Sequence, residues 1–286
     1  MKFKSLATFS FLQIHQCVNA AFEDYMISIK QSPSEFRQRM IRDGVNKGLS
    51  VGMFEENKLV GLTLMGIDEW NGKWTAYDAA TGIVPQARGN SGTRKMFENL
   101  LPRLLKQGIE QCLLEVIIGN DVALHVYKSI GFRIQRTLHC YRGNVSNTSP
   151  QNGEYAFAQW PNPSLQALVQ WADCQPAWGA SPRAIFRTFG DYEWLGMKFQ
   201  GDWVALAVWI PASGRIVNIS VDPQYRRRGM GTALLAEMQR RCAVSLVIIN
   251  VDDSHLPINL FFEAMGMSRF LSQYEMKLDL IGSGDQ

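Results

Sequence analysis

An internal repeat constrains this chain more than any other feature. In the first half, an alternating strand pattern over residues 76–84 leads into Pro85, and an arginine follows three residues later. In the second half, a similar pattern over residues 216–221 leads into Pro223, again with an arginine three residues later. A helical pattern follows in both places. Self-similarity at this scale predicts two copies of one structural unit.

The parallel between the halves continues downstream. Residues 112–118 and 245–251 are short apolar runs, which is the pattern of buried strands. Each run precedes a helical stretch with an aromatic residue, Tyr127 or Phe262, four positions before a glycine. Two copies of one α+β unit are the simplest explanation.

A polar segment rich in turn-forming residues separates the two copies. Residues 144–153 lack apolar periodicity, as a linker does. The predicted domains are therefore 1–143 and 154–286. Within them we expect helices near 12–24, 34–45, 164–172 and 182–188, and β-hairpins formed by 49–55 with 58–67 and by 193–199 with 202–210.

Composition excludes several classes of protein. The 286 residues include 29 Lys and Arg against 26 Asp and Glu, a net charge of +3, which does not suggest binding to nucleic acid or to a membrane surface. No apolar run approaches the roughly 18 residues of a spanning helix. The five cysteines are scattered and form no C-x-x-C pair, so we expect neither disulfides nor a metal site. Residues 3–22 are interpreted as a strand and a helix rather than a signal peptide. A cytoplasmic location is expected.

The segment after the second copy's strand has the composition of a phosphate-binding loop. Its glycines allow a tight turn that brings backbone N–H groups close to a ligand, and the following helix presents the positive end of its dipole. Arginines add countercharge. The pattern matches neither the Walker loop nor the dinucleotide fingerprint. The predicted contacts are Arg226, Arg227, Arg228, Gly229, Met230, Gly231 and Thr232.

Residues 221–235 resemble the acetyl-CoA loop of GCN5-related N-acetyltransferases (GNAT). The family pattern Arg/Gln-x-x-Gly-x-Gly/Ala is met by Arg226, Gly229 and Gly231. The first half resembles the same family through residues 120–132, which match its asparagine–alanine–tyrosine–glycine–phenylalanine helix. The resemblance covers nearly the whole chain outside the linker. It implies an α+β fold of two tandem GNAT-like domains, each with a mixed, mostly antiparallel, twisted sheet flanked by helices.

The two halves depart from the family pattern in opposite ways. The first half has Ser91 and Thr93 where the loop normally has glycines, and the second has Phe262 where the family often has a tyrosine acid. The resemblance therefore implies that the second domain holds acetyl-CoA. The first domain is either a second active site or a degenerate partner.

The resemblance implies direct transfer of an acetyl group from acetyl-CoA to an amine, without a metal. The pantetheine arm would bond to the earlier of two splayed strands, where a backbone N–H polarises the thioester carbonyl. The acceptor would be a small-molecule or peptide amine, with no nucleic-acid or membrane partner, and the protein a monomer or homodimer. Beyond the loop already named, the expected cofactor contacts are Ile219, Val221, Val84, Arg88, Gly89 and Asn120.

Three first-half residues are candidates for catalysis, each with a structural alternative. Tyr127 is the expected acid that protonates the departing thiolate, or else a packing residue. Asp78 relays a proton from the amine, or else is an exposed carboxylate. Glu115 is a base, or else forms a structural hydrogen bond. The competing function is a non-catalytic protein that binds or senses acyl-CoA with degenerate domains.

Overall fold

A computed structural model describes residues 1–27, 30–145 and 155–281. The chain divides into two compact units, residues 1–135 with the segment from 274 onward, and residues 136–273. Residues 136–143 thus group with the second unit, and the C-terminal segment groups with the first, which the repeat alone does not predict. The predicted linker lies outside the described residues except for positions 144 and 145.

The first unit contains the expected helix pair and hairpin. Serines cap both helices in capping boxes, Ser10 with Gln13 and Ser32 with Glu35. In chain order its elements are β1 (Lys2–Ser5), α1 (Phe11–Ala21), α2 (Pro33–Arg42), β2 (Val51–Glu55), β3 (Lys58–Trp70), β4 (Lys73–Ile83), α3 (Gly92–Lys106), β5 (Gln111–Ile117) and α4 (Asp121–Ile130).

The second unit repeats this order with shorter opening helices. Its hairpin strands have the bounds that the sequence predicts, because left-handed backbone at Gln200 and Gly201 fixes the turn between them. The remaining elements are β6 (Arg133–Gly143), β7 (Tyr155–Gln159), α5 (Leu165–Gln170), α6 (Pro182–Arg187), β8 (Glu193–Phe199), β9 (Asp202–Ile210), β10 (Arg215–Val221), α7 (Met230–Arg241), β11 (Leu246–Asp252), α8 (Leu256–Ala264) and β12 (Ser268–Asp279).

Within each unit, parallel and antiparallel strand pairs occur together. In the first unit the strand order is β1-β2-β3-β4-β5. In the second unit the order is β6-β11-β10-β9-β8-β7, and β12 contributes residues to both units. The β4–β5 and β10–β11 pairs are parallel, whereas the hairpin pairs are antiparallel. The expected architecture, two tandem α+β units with mixed sheets flanked by helices, is confirmed.

One long helix packs against each sheet and fixes the loop that precedes it. In the first unit Phe97 and Leu100 of α3 are fully buried, and in the second unit Leu234 and Met238 of α7 are. Burial of side chains of this size stabilises a fold by about 1.5–3 kcal/mol each. Among the described residues, no helix combines the length and apolar character needed to span a membrane.

Candidate active site

The parallel strands of the first unit separate partway along their length. β4 and β5 pair from Thr75 with Gln111 to Asp78 with Leu114. Immediately afterwards Ala79 bulges out of the pairing of β4 with β3. A bulge bends its strand and leaves backbone groups without ladder partners. The two strands therefore diverge beyond Asp78, and we call the gap between them, on the side of the loop before α3, the first unit's cleft.

The corresponding strands of the second unit separate even earlier. β10 and β11 pair only at Arg215 with Val247 and at Ile216 with Ile248, and Val217 is then the bulged residue. A cleft opens between the diverging strands and continues against α8 and residues 168–182. Both units therefore have the splayed strand pair that the sequence comparison implies.

The loops after these strands share one backbone conformation. Gly89 and Ser91 have positive φ angles of 90° and 54° in the first loop, and Arg227 and Gly229 have 62° and 81° in the second. Ser91 thus adopts the left-handed conformation that normally favours glycine.

Both loops also lead into helix N-termini suited to an anion. Ser91 and Gly229 are the N-caps of α3 and α7, and neither cap has a side-chain hydrogen bond to the first turn. The first-turn N–H groups and the helix dipole are therefore directed at the same place in each unit, which fits a pyrophosphate.

The side chain of Arg88 anchors the first loop to the protein. Its Nε donates to the carbonyl of Ile83 at 3.0 Å, and its Nη2 donates to the carbonyl of Ala21, the last residue of α1, at 3.0 Å. Arg88 Nη1 also forms an ion pair with Asp24 Oδ2 at 2.6 Å. This contact lowers the pKa of the Asp24 carboxyl group. The guanidinium thereby fixes the loop between the end of β4 and the end of α1.

Arg226 has the same arrangement in the second unit. Its Nε donates to Val221 at the end of β10 at 3.1 Å, and its Nη2 donates to the carbonyl of Trp171 just after α5 at 3.0 Å. Asp173 supplies the carboxylate at 3.2 Å. The two arginines therefore hold the loops in shape.

Two of the three catalytic candidates meet at the first unit's cleft. The hydroxyl of Tyr127 donates to Asp78 Oδ2 at 3.3 Å, and the hydroxyl of Thr81 donates to the same oxygen at 2.7 Å. Asp78 is only 7% exposed, so the alternative of an exposed carboxylate is wrong. Burial raises the pKa of Asp78 to about 7, and it also raises the pKa of Tyr127.

The other oxygen of Asp78, Oδ1, is also buried. Among the described residues, none forms a hydrogen bond to this atom. An unpaired buried carboxylate oxygen is costly to leave in a structure, and such groups are concentrated at functional sites. The ring of Tyr127 also packs edge-on against Phe97 and Phe132, so this residue combines a packing ring with a directed hydroxyl group.

Glu115 is not part of this pair. It follows Leu114, the β5 partner of Asp78, and successive residues of a strand point to opposite faces. Glu115 therefore lies on the other face of the sheet, where its charge, after burial, raises the pKa of Tyr77. The prediction that Glu115 lies on the strand after the loop helix is confirmed.

A sequence-family comparison identifies the chain. The model of the acetyltransferase (GNAT) family matches residues 14–132 and 164–267, one region in each unit. The chain belongs to the GNAT acetyltransferase family.

Solved structures show the same fold across both GNAT units. A tandem GNAT protein from the clavulanic acid biosynthesis pathway superposes with a TM-score of 0.73 at 12% identity over 99% of each chain. A GCN5-related N-acetyltransferase from Sphaerobacter thermophilus gives 0.70 at 15% identity, covering 99% of this chain and 98% of its own. A glucosamine N-acetyltransferase region of a fungal GH3 β-N-acetylglucosaminidase gives 0.74 at 12%, covering 97% and 38%. No curated protein matches the sequence.

The other residues of this GNAT chain that were predicted to contact CoA lie at helix ends, on strands and in the second unit's loop. Asn120 caps α4 by accepting from the Ala123 N–H, and its amide donates to the Tyr25 hydroxyl at 3.3 Å. The Val84 N–H is already bonded to the Val60 carbonyl. In the second unit, Ile219 lines the cleft, Arg228 lies over the Tyr225 ring, Met230 is buried, and Thr232 lies in the first turn of α7.

Two residues of the first GNAT unit were missed by the sequence reasoning. Thr81 reaches Asp78 because the bulge at Ala79 changes the alternation of β4. Arg39 of α2 donates to the carbonyl of Ala79 and so holds that bulge in place. No pattern in the sequence marks a bulge, so neither role had a signal. No group of His, Cys, Asp or Glu side chains within the described ranges is arranged to hold a metal ion.

Proposed function

We propose that the first unit transfers an acetyl group from acetyl-CoA to a primary amine of a small molecule or peptide. The observation that carries this proposal is the buried contact between Asp78 and Tyr127 where β4 and β5 diverge. Members of the GNAT family generally use acetyl-CoA. The uncapped N-terminus of α3, the Gly89–Ser91 loop and the open strand pair suit a CoA thioester.

Bound acetyl-CoA would supply a thioester whose C–S bond breaks as the amine nitrogen forms a bond to the carbonyl carbon. Asp78 would take the proton that the amine loses, since a carboxyl group with a pKa of about 7 is half ionised at neutral pH. Tyr127 would give its proton to the departing thiolate. Its hydroxyl is already directed at Asp78, so the proton taken from the amine returns to Tyr127 along that hydrogen bond. The pair is thereby restored after each turnover.

The loops of both units would bind the pyrophosphate of CoA. Support comes from the shared positive φ angles and from the two anchoring arginines, which place the same N–H groups at each helix N-terminus. The second loop also has the glycine pattern of the family at Gly229 and Gly231. A cytoplasmic location and a monomeric or dimeric state remain predictions.

The test is thiol release from acetyl-CoA by the full chain in the presence of an amine panel. The panel contains polyamines, aminoglycosides, amino acids, a peptide with a free N-terminus and a lysine peptide. We expect release that depends on one class of amine and is lost in Asp78→Asn. Tight CoA binding with no amine-dependent release across the panel would instead favour a non-catalytic binding protein.

A further inference from the structure

Four positions close to the strand divergence are polar in the first unit and apolar in the second. Strand pairing matches two of them: Asp78 and Ile216 are the last paired residues before the bulge, and Glu115 and Ile249 follow the last paired residue of the next strand. Sequence position matches the other two: Thr81 and Ile219 lie four residues before the proline, and Tyr127 and Phe262 lie four residues before the glycine that follows the helix. We call these the four matched positions.

The second unit's cleft is correspondingly apolar. Ile219 and Ile249 line its strand walls, and Ile258 and Phe262 of α8 line another side, with Leu168 and Ala177 opposite. Of the described residues that line it, Asp173 alone has a carboxylate, and this group is paired with Arg226. Neither an acid nor a base is present at the matched positions, so the groups proposed for catalysis in the first unit have no counterpart here.

The loop and the cleft of the second unit are continuous along β10. Val217 to Ile219 line the cleft, and the strand ends at Val221, immediately before the loop that Arg226 anchors. A CoA molecule with its pyrophosphate on this loop and its pantetheine arm along β10 would place its acyl group between Ile219 and Ile249.

We propose that the second unit binds the CoA thioester of an apolar acyl chain longer than acetyl and holds it without transferring it. This inference rests on the proposed function, because it requires that the second loop bind CoA. The physical reason for the chain preference is that each methylene buried in an apolar cleft improves affinity about fourfold. The reason for the absence of transfer is that Ile216 and Phe262 cannot exchange protons.

The experiment is calorimetric titration of the full chain with acetyl-CoA and, separately, with hexanoyl-CoA. We expect a site that binds hexanoyl-CoA at least tenfold more tightly than acetyl-CoA. Gly231→Glu should abolish it, because a carboxylate in the first turn of α7 repels the pyrophosphate. Thr93→Glu is the matched control, since Thr93 holds the same place in the first loop, and it should leave this site intact.

A substitution in the cleft tests the contacts with the acyl chain separately from the contacts with the rest of CoA. Ile249 is partly exposed, and Ile249→Glu introduces the glutamate that the first unit has at this matched position, Glu115. It should reduce the preference for hexanoyl-CoA to less than twofold while acetyl-CoA affinity at the same site changes by less than threefold. Far-UV circular dichroism melting of each variant verifies that it is folded.

Failure of the acyl-chain preference can be distinguished from failure of CoA binding by the second loop. Equal affinity for both thioesters at a Gly231-dependent site would overturn the chain preference and leave CoA binding intact. Failure of Gly231→Glu to affect either titration would overturn CoA binding by the second loop. Amine-dependent thiol release from hexanoyl-CoA that Gly231→Glu removes would overturn the absence of transfer.

Discussion

The loops of the two units have the same backbone conformation although their residues differ. The residues near the strand divergence are polar in the first unit and apolar in the second. Ser91 and Gly229 both adopt the left-handed conformation at the start of a helix, although only one is glycine. The clefts differ more: Asp78 and Tyr127 form a hydrogen-bonded pair in the first unit, whereas Ile216 and Phe262 replace them in the second. A loop's glycine pattern therefore does not indicate which unit has polar groups where the strands diverge.

The largest expected effect is on turnover, from loss of the carboxylate that only the first unit has. Asp78→Asn should lower amine-dependent turnover by about 100-fold or more, since general base catalysis typically contributes 10²–10⁴-fold. In the wild type, kcat/KM should rise with pH up to about 7, because Asp78 acts when ionised. Steady-state kinetics at several pH values measures both. Asp202→Asn, at the exposed start of β9, is the control. An Asp78→Asn variant with normal turnover would exclude Asp78 as the base.

The same residue should make stability depend on pH. The pKa of Asp78 is about 7 in the folded protein, above the ordinary value of 3.8, so the fold favours the neutral carboxyl group. The unfolded chain releases this proton at lower pH than the folded protein does, so the free energy of unfolding falls as the pH rises from about 4 to 7. Between pH 5 and 8, the unfolding free energy of the wild type should therefore fall by about 2.5 kcal/mol relative to Asp78→Asn. Urea titrations of both proteins at the two pH values measure this. Parallel pH profiles would mean that Asp78 titrates normally.

Tyr127→Phe tests the other half of the pair. It should lower turnover about tenfold and leave CoA affinity nearly unchanged, because the hydroxyl acts on the thiolate late in the reaction while the ring still packs against Phe97. The reciprocal Phe262→Tyr should give no new activity, because Ile216 replaces the aspartate there. Full activity of Tyr127→Phe would reduce Tyr127 to a packing role.

The smallest effect concerns the shared loop. Ser91→Gly should raise the unfolding free energy of the first unit by about 1 kcal/mol, because glycine avoids the steric cost of the left-handed conformation. Gly229→Ser should lower the stability of the second unit by a similar amount. Thermal unfolding of the two variants measures both changes. A destabilising Ser91→Gly would show that the serine side chain contributes contacts of its own.

Much of the architecture was predictable from local patterns. The repeat of strand, proline, arginine and helix gave two α+β units, and the β8–β9 hairpin has the predicted bounds because alternation and a short turn determine it. Helix ends were less accurate: α1 ends at Ala21, three residues before the predicted end, which leaves Asp24 free to pair with Arg88. The sequence identified Tyr127 and Asp78 as separate candidates and could not show that they touch.

The sequence by itself determined the family, the two copies and the residue types available at each cleft, because these depend on periodicity and on motifs of a few neighbouring residues. Only the tertiary structure decided which of those residues meet. The bulge at Ala79 aligns Thr81 with Asp78, strand alternation puts Glu115 on the opposite face, and Arg88 and Arg226 bond to helix ends more than fifty positions away in the chain. Such contacts depend on register and packing between distant segments, which no local pattern records.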